Sequence, residues 1–328
     1  MSGTSRRSFT LGLTAASAAT IVGGRAAAET FPSRAVRIIV PFTAGGASDT
    51  LARIIAGPLQ DAFGQPVIVE SRPGGNSSIG MLATATALPD GYTLVVGHIG
   101  THAITPAISP PSGYDIATTF TTVAVHATSS NLLVVRSDSG IATLADLIAR
   151  AKAKPDALNY GSPGVGSPSH IAVVQLASMT GIKVTHIAYR GNSAAVTDML
   201  GGTLDFMFAS PAEILEHVRS GKLKAVAASG QTRSVATPDV APVAEQGVPG
   251  FDFRTWHVLS MRTETPPDVA AKIRGAVAAI LASDAYRKRL ADLSLDPGIA
   301  DGLEADRFVR AEIARWKSFV KEAAIRPE

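Results

Sequence analysis

The chain has 328 residues and no cysteine, which excludes a disulfide framework, a thiol nucleophile and a cysteine-based zinc site. Its 30 basic and 27 acidic residues give a formal charge of +3, but Arg6, Arg7 and Arg25 all fall in an acid-free stretch of 28 residues at the N-terminus. Without that stretch the 30 basic residues fall to 27, equal to the 27 acidic ones, so composition gives no argument for nucleic acid or an anionic membrane.

Ser5-Arg6-Arg7-Ser8-Phe9-Thr10 precedes an Ala/Gly-rich apolar stretch from Leu11 to Val22, closed by Ala26-Ala27-Ala28. A charged head, a short apolar centre and small residues at a cleavage site make a secretory signal peptide over 1–28, cut after Ala28. The arginine pair with Phe9 reads as a twin-arginine export signal; an ordinary secretory signal is the alternative. No later segment approaches the roughly 20 apolar residues needed to span a bilayer. No cysteine is there to take a lipid anchor, so a soluble exported chain starting at Glu29 is expected. A chain of about 300 residues is long for one core and suggests two domains.

Beyond Glu29, strand-length apolar runs alternate with helical patterns. Val36–Val40 leads to a helix over about 48–63; Val67–Glu70, a helix near 79–87 and Thr93–Gly97 follow. Leu132–Val135 precedes a helix at 143–154, and Leu158–Tyr160 one at 167–180. Lys183–Tyr189, a helix at 194–200, Asp205–Phe208, a helix at 212–220 and Leu223–Ala228 continue the pattern. The remainder, at 267–281, 284–293 and 305–324, is mostly helical. This order predicts an α/β fold with parallel sheets covered by helices. Loop-like stretches at 109–114 and 234–250 fit two domains with a cleft, the chain crossing near 130 and 254.

Two glycine turns follow strands and open helices. The first is Pro41-Phe42-Thr43-Ala44-Gly45-Gly46-Ala47-Ser48-Asp49, the second Gly161-Ser162-Pro163-Gly164-Val165-Gly166-Ser167-Pro168-Ser169-His170. Each offers unpaired N–H groups and a positive helix end to an anion. The second is not a phosphate loop ending in Lys-Ser/Thr and lacks dinucleotide spacing, so a nucleotide is not an expected ligand. Asp49 serves either a ligand or the helix start as its cap. Ser167-Pro168 is a helix start of cap and first-position proline.

His98 and His102, four apart, could share a helix face, but no acid accompanies them and a metal is not expected. Ser162, Ser167 and Ser169 lie near His170 without a nucleophile-elbow pattern, so a hydrolase using the 167–170 pair is a minor alternative. Arg190 could grip a carboxylate or be solvated. Trp256 could wall a cleft or fill a core.

The residues of the first turn through Thr50-Leu51-Ala52-Arg53 resemble the opening signature of one family. So do Gly64-Gln65-Pro66-Val67 with Arg72-Pro73-Gly74-Gly75-Asn76, Pro89-Asp90-Gly91-Tyr92, and Leu158 through His170. Tyr189-Arg190-Gly191, Leu200-Gly201-Gly202, Val248-Pro249-Gly250-Phe251 and Glu312 through Trp316 complete the series in order. The chain thus resembles Bug-type (TctC-like) extracytoplasmic solute receptors, the substrate-binding proteins of tripartite tricarboxylate transporters. The resemblance implies a two-lobed type II periplasmic-binding-protein fold, with 29–130 plus 255–328 as one lobe, 131–254 as the other, and a ligand cleft between them. It implies a small organic carboxylate (a di- or tricarboxylate or an aromatic one) as ligand, membrane permease subunits as partners, a monomer in the periplasm, and no catalysis. The implied contacts are Phe42, Ala44, Gly45, Gly46, Asp49 and Thr101 on one side. On the other are Ser162, Gly166, Ser167, His170, Arg190, Ala209 and Ser210, with Trp256 bordering. A receptor that signals rather than transports is the alternative from another class.

Two departures stand out. The family often has Asp-Asn where this chain has Ala209-Ser210, and commonly Trp, an aromatic or polar residue, then Gly where it has Trp256-His257-Val258. Loss of the acid argues against an amino-acid ligand, whose ammonium needs a counter-charge.

Overall fold

The computed structural model describes residues 31–75, 77–189, 191–234 and 237–326. The expected signal segment 1–28 and its cleavage site lie outside the described residues, as does Arg190.

The chain runs β1 (Val36–Val40), α1 (Ala47–Phe63), β2 (Val67–Ser71), α2 (Ser78–Ala85) and β3 (Thr93–His98). A π-helical turn (Gly100–Ile104), α3 (Thr105–Ile108), α4 (Ile116–Thr119) and β4 (Phe120–Ser130) follow. Next come β5 (Leu132–Arg136), α5 (Leu144–Ala153), β6 (Asn159–Ser162), α6 (Pro168–Thr180), β7 (Thr185–Ala188), α7 (Asn192–Gly201), β8 (Phe206–Ala209), α8 (Pro211–Arg219) and β9 (Leu223–Ala228). After a 3-10 turn (Val243–Gln246), β10 (Arg254–Arg262), α9 (Pro267–Ala282), α10 (Asp284–Asp292) and α11 (Gly302–Glu322) complete it.

The strands form two five-stranded sheets, β2-β1-β3-β10-β4 and β7-β6-β8-β5-β9. The expectation of parallel sheets needs correction: both are mixed. β1 runs parallel to β2 and β3, but β10 is antiparallel to β3 and β4, and β5 is antiparallel to β8 and β9. The antiparallel members lie where the chain changes sheets, after Ser130 and again before Arg254, so they enter without a helical crossover to set a parallel direction. β4 was absent from the predicted elements because its polar residues interrupt the apolar run. Thr122, His126, Ser129 and Ser130 are nevertheless buried.

α11 lies across β4 and the π-helical turn. Its Glu312 is nearly buried, and one oxygen, Oε2, accepts the indole N–H of both Trp256 (3.0 Å) and Trp316 (2.9 Å). The Arg315 guanidinium donates to Oε1 at 3.0 Å. A carboxylate buried in this way is tolerated because each oxygen has a donor.

Where the chain passes between sheets, its connecting segments are stitched together by backbone and hydroxyl bonds. Ser229 N–H donates to Asn131 O, and Asn131 N–H donates to Ser229 Oγ, both at 2.8 Å. Ser229 Oγ–H donates to Phe253 O at 2.6 Å, and Gly230 N–H donates to Ser130 Oγ at 2.7 Å. Ser229→Ala leaves the buried Asn131 N–H without its acceptor and is expected to cost about 1–3 kcal/mol. Urea unfolding should show this as a lower midpoint at unchanged slope; a midpoint equal to the parent's would mean the hydroxyl carries no such load.

Candidate functional site

Beyond the carboxyl end of β1 the chain turns through 41–46 into α1. Gly45 sits at φ +85°, open to glycine at little cost, whereas Gly46 has φ −77° and serves as the N-cap. Asp49 is therefore not the cap of its helix, which starts two residues earlier; it is the third residue of α1 and braces the turn from inside. Its buried carboxylate accepts the Gly45 N–H at 3.0 Å and the Arg53 Nε–H and Nη2–H, each at 3.0 Å. The Arg53 hydrogen bond, then that of Gly45, hold the Asp49 carboxyl below its usual range against the opposing effect of burial. The N–H groups of Ala44, Gly46, Ala47 and Ser48 have no partner among the described residues. So the free donors sit on either side of Gly45, while its own N–H points inward.

The half-buried Phe42 ring stacks on His98, the last residue of β3, with centroids 4.7 Å apart. His98 Nδ1 accepts the Gly100 N–H at 2.9 Å, which places the proton of the neutral ring on Nε2. Thr101 Oγ1 accepts the His98 N–H and donates to the His98 carbonyl, both at 3.0 Å, and lies 2.9 Å from His102 Nδ1. His102 Nε2 is 3.2 Å from Ser260 Oγ on β10. His98 and His102 thus point at separate partners, and no cluster of metal ligands occurs among the described residues. Thr101 also lines a cavity of 240 Å³ with Ser77, Ser78, Thr105, Pro110 and Tyr114.

Sequence patterning missed what surrounds His98. His257 pairs with it across β10 and β3, rings 6.1 Å apart, and His126 of β4 is 6.2 Å from His257. The signal was there in kind, one histidine in each of three segments, but pairing these strands required the unpredicted β4 and the sheet order. Burial pushes His98 down to about 4, and His102 and His126 to about 3; His257 is lowered by burial and then by its histidine neighbours. The cluster is neutral at ordinary pH.

The second turn lies beyond the carboxyl end of β6. Ser162, fully buried, donates to Gly164 O and accepts the Gly164 N–H, both at 3.1 Å. His186 Nε2 of the neighbouring β7 is 2.7 Å from the same hydroxyl, a partner the sequence spacing did not suggest. Gly166 has φ +80°, and its N–H is directed at His170 Nδ1 at 3.4 Å. Ser167 Oγ accepts the His170 backbone N–H at 3.3 Å, so this serine caps α6. Burial and the adjacent His186 lower His170 to about 4. Val165 and Ser169 keep N–H groups without a partner among the described residues.

The second turn comes up against the segment that follows β3. A Cβ on Gly166 would meet Ile108 Cδ1 at 2.9 Å and Ile104 Cγ2 at 3.8 Å, so glycine permits this approach. Ala209, fully buried, ends β8 opposite Leu132, and Ser210 caps α8 with its N–H donating to Glu213 Oε2 at 3.2 Å. Trp256 is 1% exposed and belongs to the core with Trp316, as its bond to Glu312 requires.

A family profile described as tripartite tricarboxylate transporter family receptor matches residues 51–325. Among curated proteins, BugT of Bordetella pertussis is 32% identical over 296 residues, which cover 90% of this chain and 91% of that protein. Among solved structures, R. palustris Rpa4515 with adipate is 32% identical at a TM-score of 0.78, covering 91% of this chain and all of that one. MatC from Rhodopseudomonas palustris with bound malate is 31% identical at a TM-score of 0.72, covering 88% of this chain and all of the other. No helix among the described residues is long and apolar enough to cross a membrane.

The buried neutral histidines set a pH dependence. Each has a folded pKa below the unfolded value of about 6.5, so the unfolded chain binds protons first as pH falls. Their contribution to stability is complete above pH ~6.5 and is lost as pH drops toward ~4, by up to about 1.4 kcal/mol per pH unit per group. Urea midpoints should hold from pH 7.5 to about 6.5 and then fall as pH drops to about 5, above the carboxylate range; a flat profile would contradict burial of these rings.

Proposed function

The chain belongs to the tripartite tricarboxylate transporter receptors, and on that premise we propose that it captures a small organic carboxylate in a cleft between its lobes. What carries this is the pair of glycine turns, one beyond each sheet, with N–H groups at Gly46–Ser48 and at Val165 and Ser169 that are unpaired among the described residues. Ligands of open α/β sheets sit beyond the carboxyl ends of strands, and helix starts there favour anions. The relatives described with adipate and with malate support a di- or tricarboxylate; an aromatic carboxylate fits the Phe42–His98 shelf equally.

Fixed N–H donors and hydroxyls hold the carboxylate in place of water, and the neutral histidines add polarity without charge. Candidate contacts remain Phe42, Ala44, Gly46 and Thr101 on one side and Ser162, Ser167, His170, Arg190 and Ser210 on the other. Gly45, Asp49 and Gly166 shape the turns from within. No acid at 209 or 210 awaits an ammonium, which favours a carboxylate without an amino group. The lobes are 29–130 plus 255–328 and 131–254, closing about the stitched crossing. The chain is exported by its N-terminal signal, works as a periplasmic monomer, and passes its ligand to membrane permease subunits.

A thermal-shift panel of mono-, di- and tricarboxylates, with and without rings, tests the ligand class, because a ligand of the folded state raises the melting temperature. Neutral solutes that shift it while every carboxylate fails would refute the proposal. Gly46→Leu is a sharper probe. Its Cβ would meet nothing nearer than Thr43 O at 3.6 Å and its φ is ordinary, so the fold should persist, at a cost of about 1 kcal/mol or less for leucine at the N-cap. Affinity for the active carboxylate should drop about tenfold or more, at least about 1.4 kcal/mol; an unchanged Kd would remove Gly46 from the site.

A further inference from the structure

α1 and α10 wall a cavity of 360 Å³ that none of the candidate contacts touches. From α1 come Arg53, Ile54 and Pro58; from the α10 side come Ser283, Tyr286 and Arg289. Most polar groups there are already engaged. Ser283 Oγ donates to Ile280 O and accepts the Tyr286 N–H, and the Tyr286 hydroxyl is turned to His126 O. Arg53 gives its Nε and Nη2 edge to Asp49, while Nη1 makes no hydrogen bond among the described residues. Arg289 has no ion-pair partner among them.

We infer that this cavity is a second anion site, taking a small oxyanion (phosphate or carboxylate) between the Arg53 and Arg289 guanidiniums. Two cations from different helices line one cavity, and no carboxylate lines it; the one acid in contact, Asp49, occupies a single edge of Arg53. A guanidinium offers five N–H donors, so Arg53 can serve Asp49 and a second oxyanion at once. The apolar wall of Ile54, Pro58 and the Tyr286 ring accepts a short hydrocarbon body without unsatisfied polar groups.

Arg53 also links this cavity to the first turn. The guanidinium that would hold the anion is the one that braces Asp49, and Asp49 holds the Gly45 N–H. An anion in the cavity draws on Arg53 and weakens its grip on Asp49, so the turn loosens and carboxylate affinity falls. This coupling rests on the proposed carboxylate site, and it is reciprocal by linkage.

Amide NMR of the full chain tests both parts, with inorganic phosphate and acetate titrated separately at ionic strength held constant by chloride, which removes general screening. Signals of 283–289 should move saturably with phosphate, acetate or both, which decides the oxyanion class, and the Gly45 amide should move with them. Arg289→Ala should weaken that response at least about tenfold while leaving the melting temperature without added anion unchanged. Non-saturating shifts, or an unaltered response in Arg289→Ala, overturn the site. Saturation at 283–289 with a motionless Gly45 amide overturns the coupling alone. Failure of every carboxylate in the thermal-shift panel, with saturation at 283–289 intact, would refute the carboxylate cleft and leave the second site standing.

Discussion

The carboxylate of Asp49 is the constraint on which the first half of the site depends. A glycine at positive φ is free to adopt many conformations, and without a fixed acceptor its N–H would have no preferred direction. Asp49 supplies that acceptor from within the helix, and Arg53 fixes the carboxylate in turn through two further bonds. The result is a braced turn whose remaining donors, in the proposed site, would be aimed before any ligand arrives. Ordering them in advance reduces the entropy lost on binding. The second turn is braced by the same logic with uncharged groups: Ser162 clasps Gly164, His186 reaches Ser162, and His170 faces Gly166.

The two braces differ in their electrical consequences. Asp49 and Arg53 cancel, so the first turn presents dipoles and no net charge of its own. The histidines behind it and around the second turn are kept neutral by burial, largely at the expense of their basicity. Turns built of dipoles and neutral rings would bind an anion less strongly than a ring of arginines. They would also release it more readily, which suits the proposed hand-over to a permease.

Much of the framework was legible in the sequence, for identifiable reasons. Val36–Val40 is an unbroken apolar run, and Ser167-Pro168 is a helix start whose serine and proline act locally, so neither depends on distant contacts. β4 was not legible: Thr121, Thr122, His126 and Ser129 resemble a loop until Asp306 accepts from Thr121 and Thr122 and the neighbouring strand pairs with their backbone. The role of Asp49 was half legible, since a carboxylate near a helix start suggests a cap, and only the position of Ala47 as first helical residue shows that it braces the turn instead. The His98–His257–His126 row and the Ser162–His186 contact join residues 24 to 159 positions apart across strand pairs. Local pattern carries no information about such pairings, which come from sheet order.

The strand order also dictates when each half can be finished. β7-β6-β8-β5-β9 uses no residue beyond Ala228, whereas β10 must slide between β3 and β4 to close the other sheet. Until Arg254–Arg262 is available, β3 and β4 face an empty slot with unpaired ladder groups on both sides. Completing it closes a chain loop of more than a hundred residues, the kind of non-local pairing that slows folding. A chain synthesised from its N-terminus therefore has every strand of its second sheet available first, and the sheet beyond which the first glycine turn lies becomes whole only near the end.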